Sequence, residues 1–228
     1  MKKIILNYLI IAAFLTNVFF TACNKKEKEP NYRELNTMLT EVNVFPGLSG
    51  MANEENLILF GAYFAIGGNW GEGGSKEAVE AVLNRYFGVE KIYHERSSLY
   101  RSWPGWDVDY PIDGVGSIGC DWANVTNLRD VGNGALVANV DLYYSFGAHW
   151  DDSWLESVSQ WKLKEGAKII NTDKDALWGE VERDFDSGDI YRYETCLITL
   201  KPFVYNGKDT WQIIGINGID VPKILFSQ

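Results

Sequence analysis

The chain of 228 residues has little of what usually marks chemistry. Three cysteines and two histidines, His94 and His149, are present, and none falls at zinc-ligand spacing. No G-x-S-x-G turn raises a serine nucleophile, so a Ser/His/Asp hydrolase has no identifiable setting. Gly67, Gly68, Gly71, Gly73 and Gly74 hold no G-x-G-x-x-G after a strand and have only Lys76 as a basic neighbour. They read as a connection, not a phosphate cradle. The segments from Asp107 to Gly114 and from Asp184 to Asp189 lack the ligand spacing of an EF-hand calcium loop. Basic residues are also scarce: 21 Lys and Arg face 31 Asp and Glu, for a net charge of −10. That balance argues against nucleic acid, which needs clustered cations, and the excess acid serves solubility. No metal and no cofactor is expected.

The first 23 residues are informative. Lys2 and Lys3 precede an apolar run from Ile4 to Phe20, which ends in Phe20-Thr21-Ala22-Cys23. A basic start, an apolar stretch and small residues before a cut describe a secretory signal. The last four residues resemble the lipobox of bacterial lipoproteins, with Phe20 where that family more often has Leu. The resemblance implies cleavage before Cys23, lipidation of Cys23, and anchoring in the bacterial cell envelope, at the outer membrane. The bland readings are a plain signal peptide or an uncleaved anchor. Residues 1–22 are thus expected to be a signal peptide, and 23–30 a lipidated cysteine with a charged, disordered tether. Residues 31–228 form one expected domain, a length that can bury a core without staples. Cys120 and Cys196 remain; in an exported chain they admit a disulfide, or else stay as two buried thiols.

Asn31 to Val44 reads as a short helix ended by Pro46-Gly47. Asn53 can cap a second, with Glu54 and Glu55 in its first turn and an apolar body from Leu57 to Ile66, where a buried strand is the alternative that periodicity does not separate. The clearest helix runs from Lys76 to Phe87, capped by Ser75, followed by Gly88, with Val79, Val82, Leu83 and Tyr86 in one stripe. From Ala135 the period becomes two: Leu136, Ala138, Val140, Leu142 and Tyr144 share a face, Asn139 and Asp141 the other. Ser157 to Leu163 fits a strand, the overlapping Trp154 to Trp161 also fits a helix, and Ala176 to Arg183 reads as a weaker strand. Thr195–Val204 and Thr210–Ile216 form a hairpin about Asn206-Gly207, with Pro202 marking an edge or bulge. The expected class is α+β, with N-terminal helices packed on a curved antiparallel sheet. An amphipathic helix followed by long antiparallel strands, the last pair running from Tyr193 to Ile216, resembles the nuclear-transport-factor-2-like cone. That resemblance implies a sheet wrapped on helices with a pocket, and leaves function open because the superfamily hosts enzymes and non-enzymes.

Nine tryptophans supply the remaining clue. Trp103, Trp106 and Tyr110 form one group, and Trp150 and Trp154 another. Aromatic faces in polar loops stack on sugar rings, and Asp107, Asp109, Asp151 and Asp152 would accept hydroxyl protons. The bland reading is a satellite core under long loops. For His94 and His149 the default is a surface or hydrogen-bonded imidazole. Glu180 and Glu182 would share a strand face as a paired-carboxylate hydrolase requires, although an acidic strand face is ordinarily just solvated. The expected function is a lipid-anchored, non-catalytic module for a glycan or small apolar ligand. The rivals are a hydrolase using Glu180 and Glu182 or His149, and a structural partner in an envelope protein complex.

Overall fold

A computed structural model describes residues 31–44, 46–65, 74–101, 109–111, 119–146, 165–183 and 187–227. Three helices come first: α1 (Tyr32–Val44), α2 (Glu54–Ala65) and α3 (Lys76–Phe87). The short β1 (Lys91–Ile92) follows, then β2 (Gly119–Gly132), β3 (Ala135–Phe146), β4 (Ile169–Asn171) and helix α4 (Leu177–Arg183). The chain closes with β5 (Ile190–Tyr205), β6 (Lys208–Ile216), β7 (Ile219–Asp220) and β8 (Ile224–Leu225). The class is α+β, with helices packed on a large, mainly antiparallel sheet.

Local chemistry accounts for most of these elements. The Asn53 side chain accepts from the Glu55 and Asn56 amides at the start of α2. Ser75 Oγ accepts from Ala78 N, and Gly88 ends α3 in the left-handed region at φ 67°. Gly61 lets α2 and α3 approach closely: a Cβ there would stand 2.9 Å from Val79 Cγ1. The β5–β6 turn has φ 50° at Asn206 and 75° at Gly207, the pair of positive values a type I′ hairpin turn requires.

The sheet runs β2-β3-β5-β6-β7, and β4 pairs parallel to the start of β5. Arg192 and Tyr191 pair with β3 and β4 at once, so β4 lies on the side of β5 that β6 takes further along. Val140 and Leu142 of β3 face the main core, with Ala123, Val125, Cys196, Ile198 and Leu200 from neighbouring strands. Leu35, Leu39, Leu57, Phe60, Val79, Leu83 and Phe87 of the three long helices close that core. A second, smaller cluster joins Tyr144 and Tyr191 to Leu177 and Val181 of α4.

Helix α1 buries polar groups as well as apolar ones. Asn36, Thr40 and Asn43 are all buried, and their i, i+4, i+7 spacing puts them on one face. That face meets the outer edge of β2. Asn36 Oδ1 accepts from Val125 N at 2.8 Å, and Asn36 Nδ2 donates to Asn124 Oδ1. Thr40 Oγ1 accepts from Ala123 N at 3.0 Å and donates back to the Ala123 carbonyl. Two side chains of a helix thus take the place of a neighbouring strand.

One expectation is overturned, and of the two readings left open for Cys196 the free buried thiol holds. Ala176 to Arg183 is not a strand: Leu177 and Val181, four apart, pack on the Tyr144–Tyr191 ridge, so the helical period prevails over the apparent alternation. Cys196 is a free, buried thiol, not one half of a disulfide with Cys120. Cys120 pairs with Ser145 on β3 and Cys196 with Val140, five residues along the same strand. That offset is about 17 Å along the strand, well beyond the Cα separation a disulfide spans. The Ser157–Leu163 segment and the glycines Gly67 and Gly68 lie outside the described residues.

Replacing Asn36 by Leu keeps the volume and leaves the Val125 amide buried without an acceptor. The expected loss is about 1–3 kcal/mol in urea unfolding, with faster hydrogen exchange at Val125 than at the Val140 amide. An unchanged midpoint would show that α1 does not hold this edge.

Candidate functional site

The clearest polar constellation on the helical side of the chain is built around Tyr110. Its backbone bridges Gly74, just before α3, and its side chain is buried. The hydroxyl meets His94 Nδ1, and His94 Nε2 lies 2.8 Å from Glu80 Oε1 on α3. A carboxylate can only accept, so Nε2 carries a proton, and in the neutral ring Nδ1 is then the acceptor for Tyr110 O–H. Burial, then the acidic surroundings of Tyr100, Asp109, Glu55 and Glu80, hold the Tyr110 hydroxyl above its ordinary range. The Tyr100 ring centroid lies 5.6 Å from that of Tyr110 and 6.1 Å from His94. Lys76 Nζ sits 5.9 Å from the centre of the Tyr100 ring.

The array runs opposite to a catalytic triad. In a triad the orienting carboxylate is buried and the attacking atom exposed. Here the Glu80 side chain is 51% exposed, while Tyr110 is 1% exposed and keeps its proton. What the array does is fasten a segment. Arg101 N donates to the Asp109 carbonyl at 2.8 Å, Asp109 N donates to the Gly74 carbonyl, and Asp109 Oδ2 accepts from Lys76 N. Glu55 adds a further tie, accepting from Ser97 Oγ and Ser98 N, both at 2.7 Å. The two ends of the 102–108 stretch are therefore joined to each other and to α3.

A second constellation separates the two apolar clusters. β5 carries one extra residue opposite the Leu142–Tyr143 step of β3, and that residue is Tyr193. A bulge re-aims its side chain. The Tyr193 hydroxyl accepts from Asn43 Nδ2 at 3.1 Å and donates to Asp121 Oδ1 at 3.2 Å. Next to it, Lys174 Nζ donates to Ser49 Oγ and to Glu194 Oε2, and Ser49 donates to the same Glu194 oxygen. Burial pushes the Asp121 carboxyl up to about 7, opposed by the Tyr193 hydrogen bond and by Lys174. Burial likewise raises the Tyr193 hydroxyl, with the Asp121 charge as the next cause. The opposite face of the sheet holds a satisfied carboxylate: buried Asp141 accepts from Arg192 Nη1 at 3.0 Å and Thr195 Oγ1 at 2.8 Å.

Tyr110 is brought to the first constellation as an anchor, not as a presented face. Asp109, expected as an acceptor for hydroxyls, binds the first turn of α3 instead. Trp103, Trp106, Trp150, Trp154, His149, Asp107, Asp151, Asp152 and Cys23 lie outside the described residues, and so does the side chain of Cys120. Glu180 and Glu182 do not form a facing pair. They sit two apart on a helix, so they point to different sides. The Oε2 of Glu180 is buried without a hydrogen-bond partner. Burial, then the Glu194 charge, pushes the Cys196 thiol up to about 12, which makes it a poor nucleophile. Sequence reasoning passed over the His94–Tyr110 link, Asp121 and the exposed Trp178. The first two acquire their role only from partners on distant segments, Tyr110 for His94 and Tyr193 for Asp121. Among the described residues no three His, Cys, Asp or Glu side chains converge as metal ligands, and no helix is long and apolar enough to cross a membrane. No protein-family model, curated protein or solved structure matches this chain.

Asp121 makes stability depend on pH. Its native pKa is about 7 against an ordinary 3.8, so between these values the folded chain holds a proton that the unfolded chain has released. Stability therefore falls as pH rises through that window. Roughly three pH decades set a ceiling of about 4 kcal/mol, lowered by the residual solvent contact of the carboxyl. Urea unfolding at pH 5 and pH 8 should differ by about 1–3 kcal/mol in the native chain and by much less in Asp121→Asn. Equal differences in both proteins would remove Asp121 as the cause. Tyr110→Phe should cost about 1–2 kcal/mol by leaving the His94 ring nitrogen without its donor, read from the same unfolding curves.

Proposed function

We propose that this chain is a lipid-anchored protein of the bacterial envelope whose loop aromatics bind a ligand without catalysis. The ligand class is a glycan or a small apolar molecule. The joined ends of the 102–108 stretch carry this reading, because Trp103 and Trp106 fall in the sequence between ends held by buried Tyr110 and His94 and by half-buried Asp109. An aromatic pair on a fastened base loses little freedom on binding, so more of its contact energy appears as affinity. Tryptophan adds a flat apolar face and an N–H donor for a hydroxyl. The raised Tyr110 hydroxyl and the separated Glu180 and Glu182 give no support to the hydrolase rival. The anchor rests on the Phe20-Thr21-Ala22-Cys23 resemblance, and the outer membrane is the proposed location. The nuclear-transport-factor-2-like cone remains the proposed fold relationship, supported by helices that precede and cover one face of a long antiparallel sheet.

Two measurements test this. Intact mass of the membrane-extracted protein should place the mature N-terminus at Cys23 carrying fatty acids; an unmodified thiol or another first residue would sink the anchor. Titration with a panel of soluble glycans and one apolar dye should quench tryptophan fluorescence at saturable concentration, and Trp103→Ala with Trp106→Ala should abolish the effect. Quenching by no member of the panel, or quenching indifferent to both substitutions, would sink the binding site.

A further inference from the structure

We propose that the end of the sheet formed by the β2–β3 and β5–β6 turns rests on the bilayer interface as a second, non-covalent membrane contact. This deepens the anchor reading and rests on it for a bilayer being near. Pairing of β3 with β5 ends at Leu136 and Leu200, whereas β5 and β6 stay paired out to Tyr205 and Lys208. The β2–β3 turn stops level with Pro202, since a Cβ on Gly134 would stand 3.6 Å from Pro202 Cγ. The Phe203–Lys208 arm therefore overhangs its neighbours by about 10 Å. It carries Val204, 60% exposed, and Tyr205, 39% exposed, with the Phe203 and Tyr205 rings stacked. Val131, 48% exposed, stands at the end of β2 beside the adjoining turn.

The direction of α1 sets where the Tyr32–Gln228 unit begins. Asn36 lies against Val125, Thr40 against Ala123, and Asn43 reaches Asp121 through Tyr193, so α1 runs antiparallel to β2. Its N-terminus thus points toward the β2–β3 turn. Tyr32 stands about 6 Å beyond Asn36, which leaves about 18 Å to the turn. The nine peptide steps from Cys23 to Tyr32 can span about 30 Å, so a lipid on Cys23 can lie level with the turns. Charge fits as well. Arg129, Lys201 and Lys208 are exposed there against Asp130 and Asp209, on a chain whose net charge is −10. This end does not share the acid excess that an anionic surface would repel. Tyrosine with flanking lysines suits an interface, where the ring sits among headgroups and the ammonium reaches water.

The test couples the chain from Cys23 onward, in a Cys120→Ser background, through its Cys23 thiol to maleimide-headgroup lipid in nanodiscs of zwitterionic lipid with an anionic fraction. This chain holds the whole Tyr32–Gln228 unit with its own core, and buried Cys196 does not compete for the coupling. Amides of residues 131–134 and 203–208 should exchange severalfold more slowly than in the uncoupled protein. Val204→Ser with Tyr205→Ser, both at exposed positions, should remove that difference while core amides such as that of Val140 keep their protection. Unchanged exchange at both turns, or protection confined to another face, would overturn the proposal. Protection of the same amides in free protein at rising concentration would overturn it in favour of a second copy of this chain. The thioether replaces the fatty acids, so the outcome is independent of whether the cell lipidates Cys23, which the mass measurement decides separately.

Discussion

The edge of β2 is the constraint on which this fold depends. An outer strand of a large sheet presents unpaired amides and carbonyls, and leaving them bare invites pairing with another chain. Helix α1 answers with Asn36 and Thr40, whose side chains accept from the Val125 and Ala123 amides as a strand backbone would. A helix offers such groups only at fixed intervals, so the register of α1 against β2 follows from the four-residue step between Asn36 and Thr40. Leu35, Leu39 and Val42, on the neighbouring face, are thereby aimed into the core over Ala123, Val125 and Val140. Hydrophobic burial supplies most of the driving force, but it is non-directional. The polar stripe is what makes one placement better than its neighbours.

The same helix sets where the apolar interior is interrupted. One helical step beyond Thr40 comes Asn43, which donates to Tyr193, and Tyr193 reaches it only because β5 is bulged there. Tyr193 packs against both the main cluster and the α4 cluster, so its hydroxyl lies at the boundary between them. Asp121 shares that boundary. A carboxyl held near neutrality by burial is a cost that a leucine would avoid. Its compensation is directional: Asp121, Tyr193 and Asn43 tie β2, β5 and α1 at one point, while Lys174 brings the turn before α4 to Glu194 and Ser49.

Elements with complete local signals were readable in the sequence. Helix α3 has its cap at Ser75, its stop at Gly88 and its stripe between them, and its observed limits match the expectation. The β5–β6 hairpin follows from Asn206-Gly207, because those two residues take positive φ at little cost. Helix α4 was misread because seven residues hold two turns only, and its period is decided by Tyr144 and Tyr191, which come from other elements. Strand β4 was not seen for a similar reason: three residues have no period, and their pairing depends on β5. Asn36, Thr40 and Asn43 read as an ordinary solvated face until β2 is known to lie against them. At the candidate site, the aromatic group was visible but the role of Tyr110 was not. Its partner His94 is sixteen residues away and looks like any surface imidazole until both are buried together.

These polar contacts share a pattern that bears on how function is distributed. Asn36, Thr40, Asn43, Asp121, Tyr193, His94 and Tyr110 each satisfy a backbone group or a buried or half-buried side chain of a distant segment. A group already committed in this way is poorly placed to serve a substrate as well, since giving up its partner costs about as much as a new contact returns. Chemistry inside the described core would therefore work against the contacts that hold it closed. Recognition is better placed on segments that leave the core at fastened points, where side chains are free and their origin is fixed. The Arg101–Asp109 closure is such a point: buried Tyr110 follows it directly, and Trp103 and Trp106 fall in the sequence between its two ends.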